Sequence, residues 1–193
     1  MKKVLLVLAI SLLLTVPSFS QFDAGESELG GSLGLGSTTY ESTYRNFSSS
    51  SSYNFFMLSM LYSYYVIGGF SLEPHLIFYA IEKSNPTFLF LLNLSYTLTI
   101  PSFFLFPYGM IGYGLSNGMS NNMPYMLFRN SDKFDIGLLN IGAGVKTMIG
   151  NSGIIRAELN YRSFNKSDSE GNFNASYKHN IISILIGFSL LLK

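Results

Sequence analysis

The side chains best suited to chemistry are a few acidic, basic and imidazole groups set within otherwise apolar stretches. They are Glu73, His75, Lys146, Arg156, Glu158 and Arg162. Over 155–162 the charged and polar side chains alternate with apolar ones, which places them together on one face of a strand. Charged groups gathered on one face can serve catalysis, ion conduction or a structural salt-bridge network.

Cysteine and histidine chemistry is narrowly bounded in this chain. There is no cysteine, which excludes disulfides, thiol catalysis and cysteine-ligated metals. The two histidines, His75 and His179, have no acidic or histidine partner at ligand spacing, so we expect neither a metal nor a cofactor. His179 is the one candidate for a membrane hydrolase, which would need an adjacent serine. No serine is singled out among the many.

The first twenty residues are typical of an export signal. Two lysines precede an apolar stretch over 4–14, and small serines end the segment, as a signal peptidase requires. The apolar stretch is shorter than the roughly 20 residues that a membrane-spanning helix needs. We therefore predict a cleaved signal peptide at 1–20 and one mature domain at 21–193, beginning at Gln21.

The segment 53–128 carries only three charged side chains, Glu73, Glu82 and Lys83. In a water-soluble domain about a quarter of the residues are charged, and most of them lie on the surface. Part of this segment must therefore face an apolar medium, and a lipid bilayer fits. The twelve basic residues, less the two signal lysines, leave ten against eleven acidic ones. This balance predicts no nucleic-acid partner.

A period of two favours strands for the membrane part. Over 88–100 the even positions are apolar or aromatic, and the odd positions 93–99 are polar. Over 182–192 the even positions are again apolar. A helix cannot segregate side chains in this way. The chain is therefore predicted to be all-β, an eight-stranded antiparallel up-and-down transmembrane β-barrel, and eight is an even number as bacterial barrels require.

The predicted strands and connections follow from the same alternation. The strands are predicted at 28–40, 53–66, 70–82, 87–100, 103–115, 135–149, 154–165 and 177–192. The connections are predicted to be long at 41–52, 116–134 and 165–176 and short at 67–69, 83–86, 101–102 and 150–153. The first long connection contains the serine run 48–52, which we interpret as a solvated, flexible loop suited to adhesin-like display.

Two other architectures stay open on the sequence alone. The segment 84–128 has no charge, so a helical membrane protein is the first alternative. Pro101 and the β-rich composition argue against it. The second alternative is a soluble lipocalin-like barrel, which would place apolar groups inside and polar groups outside. The outward face predicted here has almost no charge.

Several short motifs resemble those of one family. They are the runs Glu28-Leu29-Gly30-Gly31-Ser32-Leu33-Gly34, Pro107-Tyr108 with Gly112-Tyr113-Gly114, Gly142-Ala143-Gly144-Val145-Lys146, Arg156-Ala157-Glu158-Leu159-Asn160-Tyr161-Arg162 and Gly187-Phe188-Ser189. With these motifs the chain resembles the outer membrane protein β-barrel domain family, small exported barrels akin to the membrane domain of OmpA. The resemblance implies a bacterial outer membrane location, contact with its lipids and with the outer-membrane assembly machinery, and no catalytic residues.

In an eight-stranded barrel the charged set would lie in a lumen just wide enough to be filled by side chains. We expect a structural salt-bridge network in which Glu158 is shared by three cations, with Glu73 as a further partner from a distant strand. The cations are Lys146, Arg156 and Arg162. His75 is expected to face the same lumen.

The function expected from these observations is that of an integral outer-membrane β-barrel with a structural or surface-interaction role and no catalysis. The outer loops would offer host or extracellular molecules an adhesin-like surface. A narrow channel or small-solute transporter is the alternative function, and an outer-membrane lipid-modifying enzyme is the second alternative.

Overall fold

The structure is a computed structural model that describes residues 22–44, 47–81, 87–100, 103–116, 136–170 and 173–193. The predicted signal peptide at 1–20, the cleavage point before Gln21 and nearly all of the predicted connection 116–134 lie outside the described residues. Those expectations stay predictions.

Eight strands form a closed barrel, in which each strand pairs antiparallel with the next and the last strand pairs with the first. The strands are β1 (Ser27–Tyr44), β2 (Phe47–Ile67), β3 (Phe70–Ile81), β4 (Thr87–Thr97), β5 (Leu105–Ser116), β6 (Ile136–Ile149), β7 (Gly153–Glu170) and β8 (Phe173–Leu192). The predicted eight-stranded antiparallel barrel is confirmed. Within the described residues, no helix is long and apolar enough to span a membrane.

Side chains alternate along each strand between the lumen and the outer face. On β7, Arg156 and Glu158 are buried, whereas Leu159 is 54% exposed. The large apolar side chains exposed on the outer face of the other strands are leucine, isoleucine, valine, methionine and aromatic residues, with Leu35 67% and Ile186 64% exposed. So large an apolar surface requires an apolar surrounding, which a bilayer supplies. A soluble lipocalin-like barrel, polar outside, would not have this surface.

The two ends of the barrel differ in their connections. At one end Gly69 and Gly150 have positive φ angles of 78° and 63°, the left-handed backbone that tight turns favour in glycine. Ser27 on β1 pairs with Leu192 on β8, so the barrel begins and finishes at the same end. We call this the short-turn end and the opposite one the hairpin end.

At the hairpin end two predicted loops are strands instead. β1 and β2 stay paired as far as Tyr44 and Phe47, and β7 and β8 as far as Glu170 and Phe173. The prediction of long loops at 41–52 and 165–176 is therefore wrong, and the serine run lies within β2. A strand beyond the apolar medium needs only backbone pairing, so no hydrophobic alternation marks it in the sequence.

The strands that form these two hairpins are the longest ones. β1, β2, β7 and β8 have 18 to 21 residues, and the other four have 11 to 14. The described pairing of β2 with β3 ends at Phe55–Ile81, and that of β6 with β7 ends at Leu139–Ser163. Beyond these points β2, β1, β8 and β7 form a four-stranded extension, here called the raised sheet. It comprises 38–44, 47–54, 164–170 and 173–179.

Candidate functional site

The six side chains of the predicted lumen set all point inward and are buried. Glu73 and His75 lie on β3, Lys146 on β6, and Arg156, Glu158 and Arg162 on β7. The turns at Gly69 and Gly150 place Glu73, Lys146 and Arg156 at similar heights near the short-turn end. Arg162 lies further along β7, toward the hairpin end. The structure therefore brings five of the six together.

A carboxylate outside the predicted set lies at the centre of this cluster. Glu28 is fully buried on β1 and accepts a hydrogen bond from Lys146 Nζ at 2.8 Å. It also accepts hydrogen bonds from Tyr65 Oη at 2.8 Å and Ser189 Oγ at 2.6 Å. Arg156 Nη1 lies 3.3 Å from its Oε1. Glu28 thus links side chains from β2, β6, β7 and β8.

The position of Glu28 has a signal in the sequence. Leu29, Leu33 and Leu35 are exposed on the outer face of β1. Because they occupy odd positions, the even-numbered Glu28 must face the lumen. The glycines between these leucines weaken the alternation of apolar and polar side chains. The sequence therefore predicts the inward face of β1 less clearly than that of β7.

Arg156 contacts three carboxylates at once. Its Nη2 lies 2.9 Å from Glu158 and 3.3 Å from Glu73, and its Nη1 lies 3.3 Å from Glu28. It also donates hydrogen bonds to Tyr108 Oη, and that hydroxyl donates to Glu158 at 2.7 Å. These charge-assisted bonds are of the strong kind.

The ion-pair partners of Lys146 differ from the predicted one, Glu158. The β6–β7 register places Arg156, not Glu158, directly opposite Lys146. Lys146 Nζ instead lies 2.8 Å from Glu28 and 3.9 Å from Glu73. Two cations thus face each other across one strand pair. Carboxylates from β1 and β3, reaching across the lumen, supply the opposite charge that this pairing requires.

Glu73 ties the charged cluster to β3 and β4. Its carboxylate accepts hydrogen bonds from Ser71 Oγ at 3.1 Å and from Ser95 Oγ. His75 Nε2 lies 3.2 Å from the same carboxylate. We call the group formed by Glu28, Tyr65, Glu73, His75, Tyr108, Lys146, Arg156 and Glu158 the lumen network.

Arg162 stands apart from the lumen network. Its Nη1 donates a hydrogen bond to Ser183 Oγ at 3.1 Å, and its Nε has no hydrogen-bond partner among the described residues. Asn140 is its direct partner across the strand pair, and Asn160 precedes it by two positions. The expected sharing of Glu158 among three cations is therefore not seen, because only Arg156 of the three lies within salt-bridge distance of it in the described chain.

Two glycines give the large side chains their room. A Cβ atom at Gly144 would lie 2.7 Å from the ring of Tyr108. A Cβ atom at Gly187 would lie 3.2 Å from Cγ of Arg156. Both distances are shorter than ordinary van der Waals contact, and the Cβ atoms would come still closer to the backbone oxygens of Ala157 and Gly31 respectively. A side chain at either position would therefore clash with the barrel wall as well as with the lumen network.

Apolar side chains fill the lumen on both sides of the lumen network. At the short-turn end they are Phe22, Tyr65, Phe106, Ile154 and Leu191. Toward the hairpin end they are Phe55, Met57, Ile77, Tyr79, Leu89, Leu91, Leu138, Phe164, Ile181 and Leu185. The charges are thus enclosed between two apolar layers, where losing a counter-charge is costly.

The segment preceding β1 completes the layer at the short-turn end. Phe22 is fully buried and stacks on Tyr65 with ring centroids 5.1 Å apart. The ring of Phe106 packs edge-on against the ring of Phe22, with centroids 5.6 Å apart. Lys146 Nζ lies 5.6 Å from the centroid of the Phe22 ring. Its carbonyl oxygen accepts a hydrogen bond of 3.2 Å from the backbone N–H of Gly69. The chain at Phe22 therefore lies inside the lumen at the short-turn end, before β1 begins.

His179, the candidate for hydrolase chemistry, lies in the raised sheet. Its Nε2 forms a hydrogen bond with Thr38 Oγ1, and its ring stacks on Tyr40 with centroids 4.0 Å apart. The hydroxyl that this hydrogen bond joins to the imidazole belongs to Thr38. In the described part of the chain, no group of three or more His, Cys, Asp or Glu side chains could hold a metal ion.

Comparison with known proteins agrees with this architecture. The sequence matches the outer membrane protein beta-barrel domain family over residues 6–188, and no curated protein matches it. Outer membrane protein OprG of Pseudomonas aeruginosa is similar, with a TM-score of 0.52 and 15% identity, over 90% of this chain and 99% of that one.

Two further solved structures have lower scores. Neisserial surface protein A has a TM-score of 0.47 at 13% identity, covering 80% of this chain and 96% of that one. The attachment invasion locus protein Ail of Yersinia pestis has a TM-score of 0.41 at 14% identity, covering 88% and 99%.

The family match extends over nearly the whole chain, and OprG shares the fold. The closed barrel and its apolar outer surface agree with both findings. The chain is a barrel of the bacterial outer membrane, and it belongs to the outer membrane protein β-barrel domain family.

Proposed function

We propose that this protein is a non-conducting, non-catalytic barrel, in which the lumen network is structural and the function lies at the outer surface. The observation that carries the proposal is Glu28, which joins four other strands through the middle of the lumen. Side chains bonded to one another across the lumen leave little room for a solute. The apolar layers on both sides of the lumen network would further hinder the passage of an ion.

Because the lumen is proposed to be closed and structural, we assign the biological role to the outer surface. In outer-membrane barrels the short turns face the periplasm and the longer connections face outward. The raised sheet would then stand outside the membrane, with exposed residues such as Glu41, Thr43 and Lys178. Outer-membrane lipids around the apolar band, the assembly machinery during insertion, and host or extracellular molecules at the raised sheet are the partners that this proposal implies.

Conductance in planar bilayers tests the closed lumen. We expect the purified protein to give no steady ohmic current. A large and stable current from the unmutated protein would instead establish the narrow-channel alternative.

The lipid-modifying alternative rests on the contact between Thr38 and His179. Purified protein incubated with phospholipid and lipopolysaccharide should leave both substrates unchanged by mass spectrometry. A product formed by the unmutated protein and absent with His179→Ala would show that the barrel is an enzyme.

A further inference from the structure

Arg162 is a buried cation without a close counter-charge among the described residues. Its side chain is 1% exposed, and no described carboxylate lies within salt-bridge distance of it. Glu158, the carboxylate closest to it along β7, bonds instead to Arg156, Tyr108 and Asn160. A buried charge left in this state is strongly destabilising.

The lumen network balances the charge of Arg162 only from a distance. It contains three carboxylates and, besides His75, the two cations Lys146 and Arg156. The attraction between Arg162 and these carboxylates acts over a longer range than a hydrogen bond. It does not provide an acceptor for the proton of the Arg162 Nε–H group, which has no partner among the described residues.

The surroundings of Arg162 on β7 and β8 are largely apolar. Its partner on β8 is Ile181, and Phe164 lies two positions further along the same inward face. Both belong to the apolar layer toward the hairpin end. The guanidinium reaches toward β8, where Nη1 donates a hydrogen bond to Ser183 Oγ at 3.1 Å. In such surroundings the attraction between a cation and an anion is much stronger than in water.

Two further buried polar atoms beside Arg162 lack hydrogen-bond partners in the described chain. They are Oδ1 of Asn140, directly across the β6–β7 pair, and Oδ1 of Asn160, two positions earlier on β7. The Nδ2 atoms of these amides donate to Asn93 at 2.8 Å and to Glu158 at 3.0 Å. Each amide is therefore held with its oxygen unpaired. One donor and two acceptors thus remain to be satisfied around the guanidinium.

We propose that Arg162 binds a small monovalent anion of the halide type, such as chloride, inside the lumen. The anion accepts the hydrogen bond of Nε, and water beside the anion donates to the two amide oxygens. The Tyr79 hydroxyl is buried and near enough to interact electrostatically with Arg162. Phosphate and sulfate fit less well, because a divalent anion costs more to desolvate and needs more donors than this site offers.

The site goes beyond the structural role proposed for the lumen, because it assigns the lumen a ligand. The anion is held between the lumen network and the apolar layer rather than conducted. Conductance in planar bilayers and anion binding are therefore independent measurements, and either proposal can fail without the other.

Unfolding by urea in lipid vesicles, after refolding in sodium chloride or in sodium gluconate of the same ionic strength, tests the site. Chloride bound only by the folded barrel should lower the unfolding equilibrium constant about tenfold for each tenfold rise in chloride above its dissociation constant. Gluconate, which is too large for the site, should have no such effect. Equal stability in the two salts would overturn the proposal, since water alone would then satisfy Arg162.

Arg162→Met should abolish the dependence on chloride. This variant is expected to fold, because replacing a buried charge by an apolar side chain of similar volume is often neutral or stabilising. The matched control is Lys178→Met, which removes an exposed cation from β8 and should keep the dependence. A chloride effect of the same size in Arg162→Met would place the anion elsewhere and overturn the site.

Crystals of the unmutated protein grown in sodium bromide test the position directly. Anomalous scattering at the bromine absorption edge should give a peak within hydrogen-bond distance of Arg162 Nε. Ordered bromide in other places, with none at Arg162, would overturn the proposal.

Discussion

At the scale of single residues, the lumen network depends on carboxylates that satisfy several donors at once. The Glu28 carboxylate accepts hydrogen bonds from a lysine, an arginine, a tyrosine and a serine. Lys146 and Arg156 face each other directly across β6 and β7. Without the carboxylate these two cations would remain buried, close together and short of one counter-charge, and buried charges left in this state are strongly destabilising.

Glu28→Gln should therefore lower the free energy of unfolding by about 3 kcal/mol. The matched control is Glu41→Gln, which removes an exposed carboxylate from the same strand and should change little. Unfolding by urea in lipid vesicles can be followed by circular dichroism, since the chain has no tryptophan. Equal unfolding midpoints for the two variants would mean that the lumen network adds nothing to stability.

The membership of the site could be predicted only in part from the sequence. Alternation on β7 identifies Arg156 and Glu158 as inward-facing, because apolar residues fill every intervening position. It does not identify which groups meet, since Lys146 finds its partners across the lumen rather than on the neighbouring strand. Pairing of that kind depends on the height of each residue in the closed barrel, which local spacing does not contain.

At the scale of the strands, prediction from the sequence is limited to the segments in which side chains alternate. The eight strands are recognisable wherever lipid on one side and lumen on the other impose two kinds of side chain. Over 48–54 both faces of β2 are exposed, so the serine run carries no alternation, although it pairs with β1 residue by residue. Hydroxyl side chains are typical of loops and are equally compatible with a paired strand.

The outer face of β4 offers a test of membrane depth. Leu92 is 45% exposed in the middle of this strand, so Leu92→Arg should destabilise the barrel by about 2–4 kcal/mol. Asn54→Arg, at an exposed position above the apolar band of β2, should cost about 0–1 kcal/mol. Both values come from reversible unfolding in lipid vesicles. Similar costs at the two positions would show that the apolar band does not mark the bilayer.

At the scale of the whole molecule, the barrel is closed at its short-turn end by the segment that precedes β1. Phe22 lies in the lumen, and Glu26 Oε1 lies 3.7 Å from Lys193 Nζ beyond β8. The segment 22–26 is therefore packed as part of the barrel, although it precedes the first strand.

We predict that the mature chain begins at Gln21, so that Phe22 is its second residue. The small serines at positions 18 and 20 are suited to a signal peptidase, and cleavage there frees the chain just before the residue that must enter the lumen. Intact-mass analysis of protein extracted from the outer membrane measures this directly. A mature chain that starts beyond Phe22 would contradict the prediction, because the apolar layer would then lack its aromatic residue.

The pairing of β1 with β8 has a consequence for the order of folding. These strands stand at opposite ends of the chain, yet they pair along the whole of β1, from Ser27–Leu192 to Tyr44–Ala175. Every other strand pair joins sequence neighbours and can form early, but this seam has to wait for the last strand to arrive. Contacts between distant parts of a chain form slowly, so the rate of seam closure should set the pace at which the newly exported chain becomes a barrel.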